Sequence, residues 1–397
     1  MIKTVHPFPA RMGPDLAIKR LRGLRRPSIV LDPMSGSGTV LRHAAELGHE
    51  AIGRDLDPLA ILMASVWTTP VDGRAISRRC AKLLELAQVA DPCQPLPSID
   101  DDPETQAFVE YWFAKPQRND LRRLAIALKA LGDGRCRPHD RATLNVLQLG
   151  LSRIVITKDR GASLGRDVSH SRPHKVATRS SYQVLPAFEQ SVTQLRDRLC
   201  SQPPPGRLAV EYGDARALHD LPNGSIDIVL SSPPYLNAID YMRAHRLSLV
   251  WLGYRLRELR TIRATSVGSE RGPDTSSGSA FEPILEALGS IDRLPSGDRG
   301  MVHRYAGDIY RLMSEMARVL KTDGRAFLVV GNSCIRKTFV RNSAGFAAAG
   351  RMVGLKLTGS TERELPPCNR YLPMPKRRRV HLGNRMRTET VLTFKHV

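Results

Sequence analysis

An α/β fold with a doubly wound, mostly parallel sheet is what this sequence predicts, on three observations. Residues 28–32 (SIVLD) read as a short buried strand. They run into Pro33-Met34-Ser35-Gly36-Ser37-Gly38-Thr39 and a helix over 40–47 that Gly48 stops. Strand, glycine-rich turn and helix open a nucleotide-type βαβ unit. The same alternation returns at Leu208 after a long interruption and continues to Gly331. Finally, Ile226, Ile228, Val229 and Leu230 suit a strand covered on both faces, which Ser231-Ser232-Pro233-Pro234-Tyr235 ends abruptly.

From the N-terminus, residues 3–14 (KTVHPFPARMGP) are too irregular for a helix and read as a loop lying against something. A basic amphipathic stretch, 16–26, leads to the first strand. In the turn that follows, two glycines let a ligand approach the backbone, and the helix start offers free N–H groups. The Gly-Lys-Ser/Thr ending of a P-loop is missing, and Leu41 stands where a dinucleotide fingerprint has its third glycine. A second strand, 50–53, ends at Arg54-Asp55-Leu56-Asp57-Pro58. An acid at that tip can take two ribose hydroxyls. Asp57 is placed to cap the helix over 58–67, which leaves Asp55 for a ligand.

Residues 72–205 interrupt the alternation. Helical spacing appears at 75–90, 104–114, 117–131, 139–157 and 186–199, with an acidic, proline-rich linker over 91–104. Within this insertion, 158–182 has no periodicity and carries six Lys/Arg against two Asp. Lys158, Arg160, Arg166, Arg172 and Lys175 make it a candidate nucleic-acid contact. Beyond it come a strand over 208–212 ending at Gly213-Asp214-Ala215, the 226–235 stretch, and a helix over 240–251. Residues 255–303, rich in Gly, Ser, Pro and Arg, read as a mobile loop. A helix over 305–320, a strand over 325–331, and two antiparallel strands near 351–364 and 388–395 complete the chain. Residues 370–387 hold seven Lys/Arg and no acid, Arg377 and Arg378 among them. The boundaries are thus 1–71 and 206–397 for one sheet-bearing unit and 72–205 for a helical insertion with a target-recognition role.

The 397 residues are 41% hydrophobic, enough for a large globular core, or for two or three. No apolar run approaches the roughly 18 residues of a membrane span, and no apolar leader opens the chain, so neither membrane insertion nor secretion is expected. A net charge of +21 points to a polyanionic partner, nucleic acid first. Six scattered cysteines with no Cys-x-x-Cys argue for a reducing compartment, without disulfides or zinc.

Two prolines cannot donate to a ladder, so the strand that starts at Ile226 must end at Ser231-Ser232-Pro233-Pro234-Tyr235. A small hydroxyl, stiffly held carbonyls and an aromatic ring are left at the C-terminal end of a strand, where open α/β sheets place their chemistry. A group with two N–H donors can bind those acceptors while its ring stacks on Tyr235.

Asp32-Pro33-x-Ser35-Gly36-Ser37-Gly38-Thr39 followed by Ser232-Pro233-Pro234-Tyr235 resembles the paired motifs of the S-adenosylmethionine-dependent DNA amino-methyltransferases, which methylate cytosine at N4 or adenine at N6. Residues 6–11, with Phe8 and Arg11, resemble the motif that family places before its first strand, near the methionine end of the cofactor. The resemblance covers 3–14, 28–67 and 206–332. It implies a Rossmann-like class I methyltransferase sheet and S-adenosylmethionine as cofactor. It implies that Asp32, Pro33, Ser35, Gly36, Ser37, Gly38 and Thr39 hold the methionine moiety, Asp55 the ribose, and Asp214 with Ala215 the adenine. Ser232, Pro233, Pro234 and Tyr235 would hold the target base. The family's usual Asp or Asn at the first of these positions is Ser232 here, which leans toward N4 of cytosine. The resemblance also implies double-stranded DNA as partner, a nucleoid-associated enzyme of the bacterial cytoplasm, and room for a restriction endonuclease in the same system.

The chemistry agrees. An exocyclic amino group is a poor nucleophile because its lone pair delocalises into the ring. Accepting both its hydrogens favours a pyramidal nitrogen, and positioning then supplies most of the catalysis. The base must leave the duplex, and stacking on Tyr235 offsets part of that loss. Three rivals are weaker. Pro92-Cys93-Gln94 mimics the nucleophile of cytosine C5 methyltransferases, but no apolar strand leads into it. RNA amino-methyltransferases share a Pro-Pro-Tyr turn, but usually carry a sizeable RNA-binding domain ahead of it. An inert methylase-like DNA-binding protein has no need of intact Gly36, Gly38, Asp55 and the 232–235 motif. The run 375–380 (PKRRRV) reads as a phosphate contact rather than a nuclear signal.

Overall fold

The computed structural model describes residues 2–9, 11–24, 27–133, 137–167, 172–205, 208–236, 240–269, 279–336, 338–364 and 388–397. In chain order these form α1 (Pro14–Arg22), β1 (Ile29–Asp32), α2 (Thr39–Glu46), β2 (Glu50–Asp55) and α3 (Pro58–Thr68). The insertion holds α4 (Gly73–Val89), α5 (Pro97–Asp100), α6 (Pro103–Trp112), α7 (Lys115–Gly132), α8 (Pro138–Val155), a ribbon of β3 (Gly165–Arg166) and β4 (His174–Lys175), and α9 (Val184–Ser201). Then come β5 (Leu208–Tyr212), β6 (Ile226–Ser231), α10 (Met242–Leu249), α11 (Leu256–Thr265), α12 (Glu282–Leu288) and α13 (Ser296–Val319). The chain closes with β7 (Leu320–Gly331), β8 (Ser333–Ile335), β9 (Thr338–Val340), α14 (Asn342–Met352), β10 (Leu355–Glu364) and β11 (Thr388–His396).

Seven strands make one sheet in the order β10-β11-β7-β6-β1-β2-β5. The β5, β2, β1, β6 and β7 strands run parallel, and β11 lies antiparallel to both β7 and β10. This is the doubly wound, mostly parallel sheet the sequence predicts, with the expected antiparallel pair at its end. The order reverses at β1, which has β2 on one side and β6 on the other; at such a switch point an open sheet forms its crevice. Strand side chains alternate between faces. Val30, Ile228, Leu230 and Val329 pack with α1 and α2, whereas Leu31, Val229, Leu328 and Val330 pack with α12, α13 and α14. The insertion's helices share their own core with α3 and α10, centred on Leu121, Leu147, Phe188 and Trp251. No helix among the described residues is long and apolar enough to cross a membrane.

Several expectations need correction. The described residues of 255–303 are not one loop: α11, α12 and the start of α13 occupy most of them, burying Leu259, Ile284, Leu288 and Val302, while 270–278 lie outside the described residues. Their apolar positions keep helical spacing beneath a composition rich in Gly, Ser and Arg. The linker over 91–104 contains α5, and Arg122 clasps it through the Pro92 and Gln94 carbonyls and the Asp100 carboxylate. A short hairpin, β8–β9, and α14 lie between β7 and β10, where the sequence reading assigns no element. Within 158–182 the described residues include the β3–β4 ribbon, with Ala162 and Leu164 buried. Arg377, Arg378 and the rest of 370–387 lie outside the described residues.

Candidate active site

A cavity of about 190 Å³ opens at the C-terminal ends of β1, β2, β5 and β6. The turn after β1 forms its floor, and two glycines shape that turn. Gly36 (φ 49°) and Gly38 (φ 84°) adopt the left-handed conformation that side chains disfavour. A Cβ would also stand 3.0 Å from the Phe8 ring at Gly36, and 3.0 Å from the Ala64 backbone at Gly38.

Asp55 holds this turn in place. One carboxylate oxygen accepts from the Gly36 N–H (2.8 Å) and the other from the Asp57 N–H (2.9 Å). Burial pushes its pKa up to about 6, helped by the neighbouring Asp57 charge and opposed by the two N–H groups. Asp57 caps α3 through the Leu59 N–H (2.9 Å), and its other oxygen meets His245 Nδ1. Asp32, 3% exposed at the tip of β1, is pushed up to about 7 by burial, against the Ser231 hydroxyl that donates to its Oδ1 at 2.7 Å. Sequence reasoning passed over Ser231. Its one signal was position: it ends β6, which pairs directly with β1.

Above the turn, the hydroxyls of Ser35, Ser37 and Thr39 are buried and have no hydrogen-bond partner among the described residues. A buried hydroxyl left unpaired is unfavourable by roughly 1–3 kcal/mol. Three on one turn therefore fit a polar ligand seated there. Phe8 covers Gly36 and stacks on Tyr241 (centroids 5.1 Å apart). His6 anchors the N-terminal segment through Ser152 Oγ (3.0 Å), which in turn bonds Ser248. Arg11 stands exposed at the rim.

On the β5 side, Asp214 is already engaged. Its Oδ1 accepts from Arg216 N–H and Nε (both 2.9 Å), and its Oδ2 from Nη2 (2.6 Å). The same guanidinium reaches Asp308 Oδ1 on α13 (2.6 Å) and the Thr265 carbonyl (2.5 Å). Burial alone would lower the Arg216 pKa, but the two carboxylates outweigh it and raise it. Through Thr265, Arg216 secures the segment 266–269, which forms a wall of the cavity. An arginine two residues past the strand-end acid was the only sequence signal for this role.

On the β6 side, Ser232 Oγ donates to the Val329 carbonyl (3.2 Å). Pro234 lines the cavity while its carbonyl accepts from the Tyr305 hydroxyl (3.1 Å). The Tyr235 hydroxyl donates to Glu389 on β11 (3.3 Å), and Arg363 on β10 holds that carboxylate from behind (2.9 Å). Burial, with Glu389 alongside, drives the Tyr235 pKa upward, so the phenol stays neutral.

Of the residues singled out in the sequence, Phe8, Arg11, Asp32, Pro33, Ser35, Gly36, Ser37, Thr39, Asp55, Asp214, Ala215, Ser232, Pro234 and Tyr235 line this one cavity. Gly38 and Pro233 are not among its lining residues. Tyr241, Met242, Arg263 and 266–269 line it without having been foreseen. Lys158, Arg160, Arg166, Arg172 and Lys175 lie outside it, on the insertion. Cys93 is exposed on the clasped linker, and no cysteine among the described residues lines the cavity.

No family model matches the chain. Over 82 residues it is 37% identical to the Type II methyltransferase M.MvaI of Kocuria varians, a match spanning 20% of this chain and 18% of that protein. Among solved structures, a TehB-like SAM-dependent methyltransferase from Corynebacterium glutamicum aligns over 96% of this chain and 88% of its own, at 10% identity and a TM-score of 0.31. The rRNA methyltransferase aviRa from Streptomyces viridochromogenes aligns over 99% and 90%, at 12% identity and a TM-score of 0.30. Likeness at that level carries no argument, and the fold rests on the strand order itself.

Proposed function

We propose that this chain transfers a methyl group from S-adenosylmethionine to the exocyclic amino nitrogen of a base extruded from duplex DNA, N4 of cytosine ahead of N6 of adenine. One observation carries the reading: the glycine-rich turn and the Ser-Pro-Pro-Tyr turn line a single cavity on neighbouring strands, joined by the Ser231–Asp32 hydrogen bond. The local identity with a Type II methyltransferase supports methyl transfer. The +21 charge supports a nucleic-acid substrate.

Bound in the cavity, S-adenosylmethionine supplies a sulfonium methyl group open to displacement by nitrogen. The chain does the rest. Ser35, Ser37 and Thr39 offer their unpaired hydroxyls to the methionine end, beside Asp32. Asp55 keeps lone pairs for ribose hydroxyls after meeting its two N–H groups. Ser232 spends its one proton on the Val329 carbonyl, so toward the cavity it can only accept. Ser232 would take one hydrogen of the amino group and the Pro233 carbonyl, in the same turn though off the cavity lining, the other, while Tyr235 supplies a neutral ring for the base to stack on. Residues 72–205 are assigned to target recognition, on the unit formed by 1–71 and 206–397. A nucleoid-associated enzyme of the bacterial cytoplasm, paired with a restriction endonuclease, is the setting this reading implies.

The test is nucleoside mass spectrometry of DNA incubated with the protein and S-adenosylmethionine. N4-methylcytosine is expected. N6-methyladenine would overturn the preference read from Ser232; 5-methylcytosine, or label in RNA alone, would overturn the proposal.

A further inference from the structure

We propose that the β3–β4 ribbon reads base edges, and that Arg166 on it recognises a guanine in the major groove of the substrate. This rests on the duplex-DNA reading above and deepens it, since charge alone made Arg166 no more than a phosphate contact.

The ribbon is seated, not solvated. Ala162 N–H donates to the Ile154 carbonyl (2.8 Å), Ser163 N–H to Val155 (3.0 Å) and Leu164 N–H to Trp112 (2.7 Å). Val176 N–H returns to the Leu164 carbonyl (3.0 Å). At Gly165 a Cβ would stand 2.8 Å from the Trp112 ring, so the backbone lies flat on the indole. From this seat Arg166 projects opposite its register partner His174, and both are exposed. Lys175 lies over the exposed Tyr111 ring, 4.3 Å from its centroid.

Arg166 has no ion pair or hydrogen bond from its side chain to any described residue, whereas Arg118 and Arg122 in the same insertion are paired with acids. A firmly presented, unpaired guanidinium has no internal task. A two-stranded ribbon fits the B-DNA major groove, roughly 12 Å wide, and the guanidinium fork matches O6 and N7 of guanine in a bidentate pair. The seat is packed toward the catalytic cavity. Phe108 of α6 carries Arg246 of α10 over its ring (5.0 Å), and Phe113 meets Trp251 edge-on (5.1 Å). Helix α10 itself begins at the cavity residue Met242.

The experiment uses the full chain, S-adenosylmethionine and a library of randomised duplexes, with methylated sites mapped by sequencing. Wild type should select a consensus containing guanine. Replacing that guanine by 7-deazaguanine should lower kcat/KM about 10- to 100-fold, because N7 is lost. Arg166→Ala should discriminate no longer at that position and should be indifferent to the replacement. Arg166→Lys should restore DNA affinity and only part of the discrimination, since it returns the charge and donors without the rigid fork. Cofactor affinity measured by calorimetry reports the folding of each variant. An unchanged consensus in Arg166→Ala, or an equal loss on every sequence, overturns the ribbon assignment while methyl transfer to DNA stands. Wild-type methylation of RNA and never of duplex overturns both.

Discussion

Single side chains separate the two halves of the site. Ser232→Ala removes an acceptor that matters most as the amino nitrogen pyramidalises, so kcat and kcat/KM should both fall, by about 10- to 100-fold, with cofactor affinity unchanged. A loss of cofactor affinity in calorimetry would instead place Ser232 on the cofactor side. Gly36→Val should abolish cofactor binding, because its Cβ would push into Phe8 at a left-handed φ. Asp55→Ala frees the turn as well as removing a ribose acceptor, and should weaken binding by about 1.5–3 kcal/mol. Cys93→Ala should change nothing. The acids add a pH dependence. Asp32 and Asp55 titrate at about 7 and about 6 when folded, above their ordinary 3.8. Between those values the folded protein holds more protons than the unfolded chain, so ligand-free stability falls as pH rises through that window. A cationic ligand beside Asp32 favours the ionised form. S-adenosylmethionine should therefore bind roughly tenfold more tightly at about pH 8 than at about pH 5.5, with proton release, and Asp32→Asn should flatten the difference.

At the scale of elements, the parts that make the site were legible because local chemistry dictates them. Strand β1, its turn and α2 follow from an apolar run, two glycines and a helical repeat. The end of β6 follows from two prolines. What stayed hidden depends on partners far along the chain. Glu389 and Arg363 orient Tyr235 from the last two strands, and nothing near Tyr235 in sequence points to them. Helices α11 and α12 were masked because the Gly and Ser of 255–303 lie outside them and α11 exposes Arg257, Arg260 and Arg263, so composition averaged over the whole stretch hides the buried faces. Glu389→Ala should act as a weaker Tyr235→Ala. Both should raise KM on paired DNA more than on a substrate whose target base is already mismatched, because the stacking surface is worth roughly 1–3 kcal/mol to an extruded base. Equal effects on both substrates would remove Tyr235 from base stacking.

For the whole molecule the dominant property is its charge. Binding to duplex DNA should weaken steeply with salt, and neutralising Arg160, Arg166, Arg172 and Lys175 together should flatten the log–log slope by about three to four. An unchanged slope would make that face of the insertion a bystander. A second whole-molecule trait follows from Arg216. One guanidinium spans the tip of β5, the middle of α13 and the segment at 265, so a cavity wall and Asp214 are fastened by the same side chain. Whatever leaves past that wall must wait for several charge-assisted bonds to loosen together. Turnover should then run as a rapid first cycle followed by a slow steady rate, with release of the spent cofactor as its clock. Arg216→Lys, which cannot span three partners, should shrink the burst and quicken the cycles that follow, at the expense of looser binding.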